Sequence, residues 1–244
     1  MAVITAIANG NWSSASTWDL ARVPAEGDDV RLGAHTVTLD IGETPHLLAI
    51  KGQNAAGTAT ISTLMVLSSL STAVITADAI QAGVGGGEYP GMIVQDGDTV
   101  LTINGHLHGT ASGSGMAAVY LAGGSLVVNG SATAGLASQS YAIHSDESVP
   151  IVLNGDATAI ACEAIRQEGI ADVTVNGSVI SGNTAAVINQ FGTTTVNGGN
   201  VIHSNFLYNP GPSNYVQYPG PGETTVKCYP PFATRRTMLG GYES

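Results

Sequence analysis

Five copies of one short pattern decide the fold of this chain: LTING at residues 101–105, LVVNG at 126–130, IVLNG at 151–155, VTVNG at 173–177 and TTVNG at 194–198. Their Asn residues lie 25, 25, 22 and 21 positions apart. Self-similarity at a period of this size indicates a repeat architecture in which each unit stacks on its neighbours. We therefore expect one supersecondary unit to recur along a common axis.

A second column of residues repeats between the Asn-Gly pairs with nearly the same period. It consists of an alanine followed by Val or Ile, at Ala118-Val119, Ala142-Ile143, Ala164-Ile165 and Ala186-Val187. Each unit has room for about three short strands, because a strand advances about 3.3 Å per residue. The sequence predicts an all-β fold, a single-stranded, parallel, right-handed β-helix or solenoid of about six to eight coils.

The Asn-Gly pairs indicate a sharp turn after the first strand of each coil, because both residues tolerate positive φ. Equivalent corners of successive coils lie about 4.8 Å apart, so their side-chain amides are able to bond along the axis. The alternative is simple turn chemistry without such stacking. The turn ladder we expect consists of Asn104, Asn129, Asn154, Asn176 and Asn197.

The chain divides into three parts. Residues 1–40 are expected to form an N-terminal cap with the first strands, residues 41–205 the β-helix, and residues 206–244 an extended C-terminal arm rich in Pro, Gly and Tyr. An end coil exposes its apolar core and its unpaired strand edges. We therefore expect a segment of the chain to cover that end.

The N-terminal segment carries a recognisable set of motifs: NGNW at residues 9–12, Trp18, VP at 23–24, GDDV at 27–30 and TVTLD at 36–40. It resembles the tryptophan-opened N-terminal module of many secreted and phage β-helices. With its stacked coils and arm, the chain resembles phage-type parallel β-helix virion proteins, the trimeric decoration and appendage proteins of phages. The resemblance implies a β-helix whose open N-terminal end is capped by Trp12 and Trp18. It also implies assembly as a homotrimer.

The composition excludes several classes of protein. Charged residues make up 10% of the 244 residues and hydrophobic residues 43%, whereas disordered chains combine low hydrophobicity with high charge. A net charge of −11 argues against a nucleic-acid partner. No apolar stretch approaches the length of a membrane span, so no membrane partner is expected.

The compartment is also an inference from sequence. The first residues lack the basic and apolar regions of a signal peptide, and the two cysteines, Cys162 and Cys228, provide no disulfide framework. We expect the chain to be synthesised in a host cytoplasm without a signal peptide and then to be incorporated into the virion.

Two groups of residues are expected to make subunit contacts. Val127 and Val152 occupy the middle of their strands and should point outward as exposed β-branched side chains on a flat wall, which favours a covered face. The C-terminal arm should order against another subunit or a host surface through aromatic and basic anchors. Those anchors are Tyr215, Tyr218, Tyr229, Phe232, Arg235 and Arg236.

The sequence contains no common catalytic motif, and its best candidates for chemistry are weak. Counting from the Ala-Val/Ile column places Asp146 and Glu168 side by side on neighbouring coils, with His144 and Arg166 beside them. Two carboxylates about 5 Å apart suit retaining glycoside hydrolysis. The alternative, a solvated polar wall, is favoured, so no catalytic residue is expected.

No metal site and no cofactor are expected. His106 and His108 share one face of a strand, but no third ligand accompanies them, and a metal site needs three or four.

The expected function is therefore that of a structural virion protein of a tailed bacteriophage, a trimeric capsid decoration (cement) protein or a head or tail appendage such as a tail fibre. Its partners would be itself and the major capsid protein or another virion protein, held by multivalent noncovalent contacts. The alternative is a tailspike-like β-helix that binds or cleaves polysaccharide, with a host surface glycan as its partner.

Overall fold

The structure, a computed structural model, describes residues 1–84, 91–109, 117–136, 140–160, 162–180, 186–189 and 191–197, together with the backbone of strands at 201–202, 207–208 and 224–226. It confirms the predicted all-β fold of parallel strands stacked as a β-solenoid. The described residues contain one helix, the single 3₁₀ turn Ala15–Thr17. None of these residues belongs to a helix long and apolar enough to cross a membrane.

Most strands are two to five residues long, and two are longer. In chain order they are β1 (Val3–Thr5), β2 (Gly10–Asn11), β3 (Asp29–Arg31), β4 (Thr36–Leu39), β5 (Leu47–Lys51), β6 (Thr63–Val66), β7 (Thr72–Gln81), β8 (Gly91–Gln95), β9 (Val100–His108), β10 (Ala117–Leu121), β11 (Ser125–Val128), β12 (Ala132–Thr133), β13 (Ile143–Ser145), β14 (Ile151–Leu153), β15 (Ala157–Thr158), β16 (Ile165–Gln167), β17 (Val173–Val175), β18 (Val179–Ile180), β19 (Val187–Asn189), β20 (Thr194–Val196), β21 (Val201–Ile202), β22 (Leu207–Tyr208) and β23 (Thr224–Val226).

Among the described residues, the strands form two long parallel sheets. One sheet has the strand order β1-β3-β5-β7-β9-β11-β14-β17-β20-β23. A branch of the same sheet starts at β9 and has the order β9-β12-β15-β18-β21. The other sheet has the order β2-β4-β6-β8-β10-β13-β16-β19-β22. From β6 to β22 the second sheet makes about seven turns. The strands β1 to β4 of the N-terminal segment pair within these same sheets.

The core lies between the sheets and consists of inward rows of aliphatic side chains. In β14 and β17 the first and last residues are buried and the middle one is partly exposed, and the last three residues of β11 follow the same alternation, as the two-residue period of a strand requires. The Ala-Val/Ile column is buried at every coil: Ala118, Val119, Ala142, Ile143, Ala164, Ile165, Ala186 and Val187.

The N-terminal end of the core holds both tryptophans. Trp12 and Trp18 are almost completely buried, and their rings meet edge to face with centroids 5.1 Å apart. The indole N–H of Trp18 donates to the carbonyl oxygen of Trp12 at 3.0 Å. The segment that carries them also pairs antiparallel with the chain after β1, between Ala6 and Trp18.

The corners after Asn require glycine for a reason other than the one expected from sequence. Of Gly105, Gly130, Gly155 and Gly177, only Gly105 has a positive φ. A Cβ on Gly130 would lie 2.0 Å from the carbonyl oxygen of Gly105, and one on Gly155 would lie 2.4 Å from that of Gly130. The backbones of consecutive turns therefore lie too close together here for any side chain. This close approach, more than a need for positive φ, explains why glycine occupies these positions.

The first of these corners is also less sharp than expected. Asn104 and Gly105 lie within β9 (Val100–His108), which continues through the corner as one strand. Its second half, at Leu107 and His108, then pairs with β12. The corner is thus a bend in a continuous strand, whereas the later Asn-Gly pairs separate two strands.

Candidate functional site

The candidate site lies on the outer wall of the second sheet, where three neighbouring strands align their outward side chains. The register pairs Tyr120 of β10 with His144 of β13, and His144 with Arg166 of β16. The alternation of buried and partly exposed residues places all three on the outer side of the wall.

Two carboxylates complete the site, one after each of two successive strands. Asp146 Oδ1 lies 2.8 Å from Nε2 of His144, and Glu168 Oε1 lies 4.0 Å from the same nitrogen. These three ligand atoms all lie within 4.8 Å of one another. The structure therefore brings Asp146, Glu168, His144 and Arg166 together, as the column spacing predicts.

The two carboxylates are held by neighbouring donors. The Tyr120 hydroxyl donates to Asp146 Oδ2 at 3.0 Å, and Arg166 Nε donates to Glu168 Oε1 at 2.5 Å. These contacts fix the carboxylates in front of the imidazole and leave Oδ1 of Asp146 facing His144.

Aromatic rings enclose the imidazole. The Tyr120 and Tyr141 rings lie 5.6 Å and 5.0 Å from the His144 ring, centroid to centroid. The Arg166 guanidinium lies over the Tyr141 ring at 5.6 Å, a cation–π geometry. These contacts leave 13% of the His144 side chain exposed.

Burial shifts the pKa values of His144 and Tyr120. Burial lowers the pKa of His144, although the charges of Asp146 and Glu168 oppose this shift. Burial, together with the hydrogen bond to Asp146, raises the pKa of Tyr120 to about 12. At neutral pH the site therefore presents a neutral imidazole and an un-ionised tyrosine beside two carboxylates.

Chemically, such an arrangement has two capacities. Two carboxylates at this separation, with a guanidinium and aromatic rings beside them, suit a sugar ring and its glycosidic bond. A neutral imidazole and two carboxylate oxygens also form a ligand set for a divalent metal ion.

The five corner asparagines form a second structural feature, a continuous row of hydrogen bonds. Each Nδ2 donates to the Oδ1 of the asparagine one turn earlier, at distances of 2.7 to 2.9 Å, and Asn104 donates to the Thr76 hydroxyl at 3.1 Å. The expected stacking of amides along the axis is thus observed for Asn104, Asn129, Asn154, Asn176 and Asn197.

A column of β-branched side chains runs beside this amide row. The strand register aligns Val127 and Val152 with three threonines, and all are outward and partly exposed. We call this column and the amide row the uncharged face, because none of their residues carries a charge. Its β-branched column is Val74, Thr102, Val127, Val152, Thr174 and Thr195.

Other sequence-predicted residues stay apart from the site. His106 and His108 are both exposed on β9, and Nδ1 of His106 accepts a hydrogen bond from the backbone N–H of Ser131 at 3.1 Å. The predicted arm anchors lie outside the described residues: Tyr215, Tyr218, Tyr229, Phe232, Arg235 and Arg236.

Sequence reasoning missed two groups of residues. Tyr141 is not predicted at the site, because it precedes the repeating column and nothing in the repeat marks it. The second group is an inward polar column at the last residue of β8, β13, β16 and β19 in the second sheet, where Gln167 Nε2, for example, donates to the carbonyl oxygen of Val149 at 2.7 Å. Its buried members are Gln95, Ser145, Gln167 and Asn189.

A signal for this column does exist in the sequence. Each polar residue stands two positions after a buried Val or Ile, so the strand period assigns it to the inner side. A buried side-chain amide or hydroxyl at that position bonds carbonyl oxygens of an adjacent turn, as Ser145 Oγ does with Leu121 and Asn189 Nδ2 with Ala171, which an aliphatic residue cannot do.

Together, fold and site define an all-β parallel solenoid with one polar cluster on one wall and an uncharged face on another. Comparisons with protein-family models, with curated proteins and with solved structures find nothing that matches the chain.

Proposed function

We propose that this chain is a structural virion protein of a tailed bacteriophage, a trimeric β-helix that decorates the capsid or forms a head or tail appendage. The observation that carries the proposal is the uncharged face. A chain with a net charge of −11 repels its own copies, and the β-branched column and amide row contain no charged residue that would add to that repulsion.

The chemistry of the uncharged face supports contact between copies. Its Val and Thr side chains are partly exposed in the single chain, and pairing would bury them. Its amides retain free donor or acceptor capacity beyond the bonds within the row. Cyclic symmetry then closes the contact, and the N-terminal resemblance to phage β-helices favours three copies.

Attachment to a virion would follow from this assembly. Three copies present each weak contact three times, so modest contacts to a capsid or tail protein add up through effective concentration. The C-terminal arm, with its aromatic and basic residues, is the segment proposed to make them.

Replacing Val127 by Asp is expected to dissociate the oligomer. The substitution brings like charges together in a face that would exclude water, which should weaken association by about 100-fold or more. Sedimentation velocity measures the change. Ile180→Asp is the matched control, because Ile180 is also β-branched, outward and partly exposed but lies on a different strand column, and it should leave the oligomer intact.

A monomeric wild-type chain, or an unchanged sedimentation coefficient for Val127→Asp, would overturn the interface. A separate experiment tests the assignment to a virion. Antibody raised against the chain should label intact phage particles in immunogold electron microscopy, and absence of label on the particles would overturn that assignment.

The second candidate is a polysaccharide-binding or polysaccharide-cleaving β-helix. The observation that favours it is the proximity of Asp146 and Glu168, whose facing oxygens lie within 4.8 Å, close to the carboxylate separation of retaining glycosidases. Arg166 keeps Glu168 in place, and the partly exposed Tyr120 provides a ring against which a sugar would pack.

This second function predicts reducing-sugar release from host envelope glycans. Asp146→Asn and Glu168→Gln should each reduce that release by about 100-fold or more, because each removes an acid, base or nucleophile. Asp78→Asn is the control, since Asp78 also contacts a histidine, His46, at 2.8 Å, but within the described part of the chain no second carboxylate joins that pair in a group of three. Equal release by all three variants and wild type would exclude catalysis at this cluster.

A further inference from the structure

The starting observation is an unsatisfied nitrogen at His144. Its Nε2 is buried and makes no hydrogen bond with any of the residues that the structure describes, although Asp146 Oδ1 lies only 2.8 Å away. The contact therefore has the distance of a hydrogen bond without its alignment. A buried polar atom left in this state is costly and calls for a partner beyond those among the described residues.

The surrounding atoms have the spacing of a metal-ligand set. In a tetrahedral Zn²⁺ site with bonds of about 2.0–2.2 Å, neighbouring ligand atoms lie about 3.3 Å apart. The separations from His144 Nε2, 2.8 Å to Asp146 Oδ1 and 4.0 Å to Glu168 Oε1, fall on either side of that value. The two carboxylate oxygens lie within 4.8 Å of each other, so side-chain rotations that draw them toward the imidazole would complete a tetrahedral spacing.

The groups behind the ligands match those that usually support metal ligands. Ligating carboxylates are themselves hydrogen-bonded in metal sites. Here Tyr120 bonds the far oxygen of Asp146, and Arg166 bonds Glu168. An oxygen of a carboxylate has lone pairs for both a donor and a cation, so the Arg166 contact does not exclude Glu168 as a ligand.

We propose that His144, Asp146 and Glu168 bind one divalent first-row transition ion, with Zn²⁺ as its representative, through Nε2 and one oxygen of each carboxylate. The mixed nitrogen and oxygen set favours such an ion over Mg²⁺ and Ca²⁺, which prefer oxygen alone. A fourth coordination position is left to water. Because Glu168 lies one turn after His144 and Asp146, the ion links consecutive turns of the solenoid.

The test is titration of the full chain with ZnCl₂ by isothermal calorimetry, with thermal unfolding measured in parallel. We expect one Zn²⁺ ion to bind per chain. The melting temperature should rise with Zn²⁺ concentration, as binding to the folded state requires. MgCl₂ and CaCl₂ at equal concentration should produce a smaller rise. CoCl₂ should give the visible absorption of a nitrogen- and oxygen-ligated ion.

Two variants locate the site. His144→Ala should weaken Zn²⁺ binding at least about tenfold, and Glu168→Gln, which keeps the shape of the side chain and its contact with Arg166, should do the same. His46→Ala is the matched control, because His46 and Asp78 form a pair of the same length, 2.8 Å, to which the described residues add no third ligand. It should bind Zn²⁺ as wild type does.

Circular dichroism of each variant separates loss of a ligand from loss of the fold. The proposal is overturned if wild type binds no Zn²⁺, if folded His144→Ala and Glu168→Gln bind as tightly as wild type, or if Mg²⁺ or Ca²⁺ stabilises the chain more than Zn²⁺ does.

Discussion

Gly130→Ala is expected to lower the free energy of unfolding by about 3 kcal/mol, the upper part of the usual range for overpacking. The added Cβ would lie 2.0 Å from the carbonyl oxygen and 2.5 Å from the carbonyl carbon of Gly105. Both are backbone atoms of the preceding turn, so no side chain is able to rotate away. Urea denaturation followed by circular dichroism measures the loss.

The surrounding bonds explain why the turns do not simply move apart. The backbone N–H of Asn129 donates to Ile103 at 2.7 Å, and the N–H of Leu107 donates to Ser131 at 2.8 Å. The amide row adds a bond of 2.8 Å from Asn129 to Asn104. Separating the turns at Gly130 would stretch several of these bonds at once.

Gly42→Ala is the matched control for this prediction. The nearest atom to a Cβ added at Gly42 would be the carbonyl oxygen of Thr72 at 3.9 Å, an ordinary contact, and Gly42 has no positive φ. Replacing it should leave stability unchanged or raise it slightly, because alanine restricts the unfolded chain. If Gly130→Ala unfolds at the same urea concentration as wild type and Gly42→Ala, the close approach does not limit the fold.

The repeat is the part of this structure that sequence predicts best. Once the spacing of the Asn residues fixes the length of each coil, it also fixes which residues stand side by side on neighbouring turns. The amide row and the gathering of His144, Asp146, Arg166 and Glu168 both follow from that single register. Register errors would have moved whole rows to the other side of the sheet.

What the sequence could not supply are the distances between atoms of adjacent turns. The requirement for glycine at residues 130 and 155 depends on how closely the backbones of adjacent turns approach each other. The amino-acid sequence alone does not specify that distance. The unbonded state of His144 Nε2 depends on side-chain angles in the same way. Tyr141 reaches the site only through the path of an irregular segment before β13.

Trp18→Ala is expected to lower the free energy of unfolding by about 4 kcal/mol, because it removes a large, almost fully buried side chain at the N-terminal end of the core. The loss includes the edge-to-face contact with Trp12, at 5.1 Å, and the indole hydrogen bond to the Trp12 carbonyl oxygen. Because a solenoid is stabilised turn by turn, the damage should begin at the N-terminal end. Hydrogen exchange should show lost protection in β1 and β2 before β14 and β17.

Two conservative variants separate the packing of the rings from their hydrogen bonds. Trp18→Phe removes the donor to Trp12, which should cost about 1 kcal/mol beyond the reduced packing. Trp12→Phe removes a buried indole N–H that has no hydrogen-bond partner among the residues described, so it should cost less than Trp18→Phe. Urea midpoints in the opposite order, or full protection of β1 in Trp18→Ala, would show that the first turns are held by contacts other than this tryptophan pair.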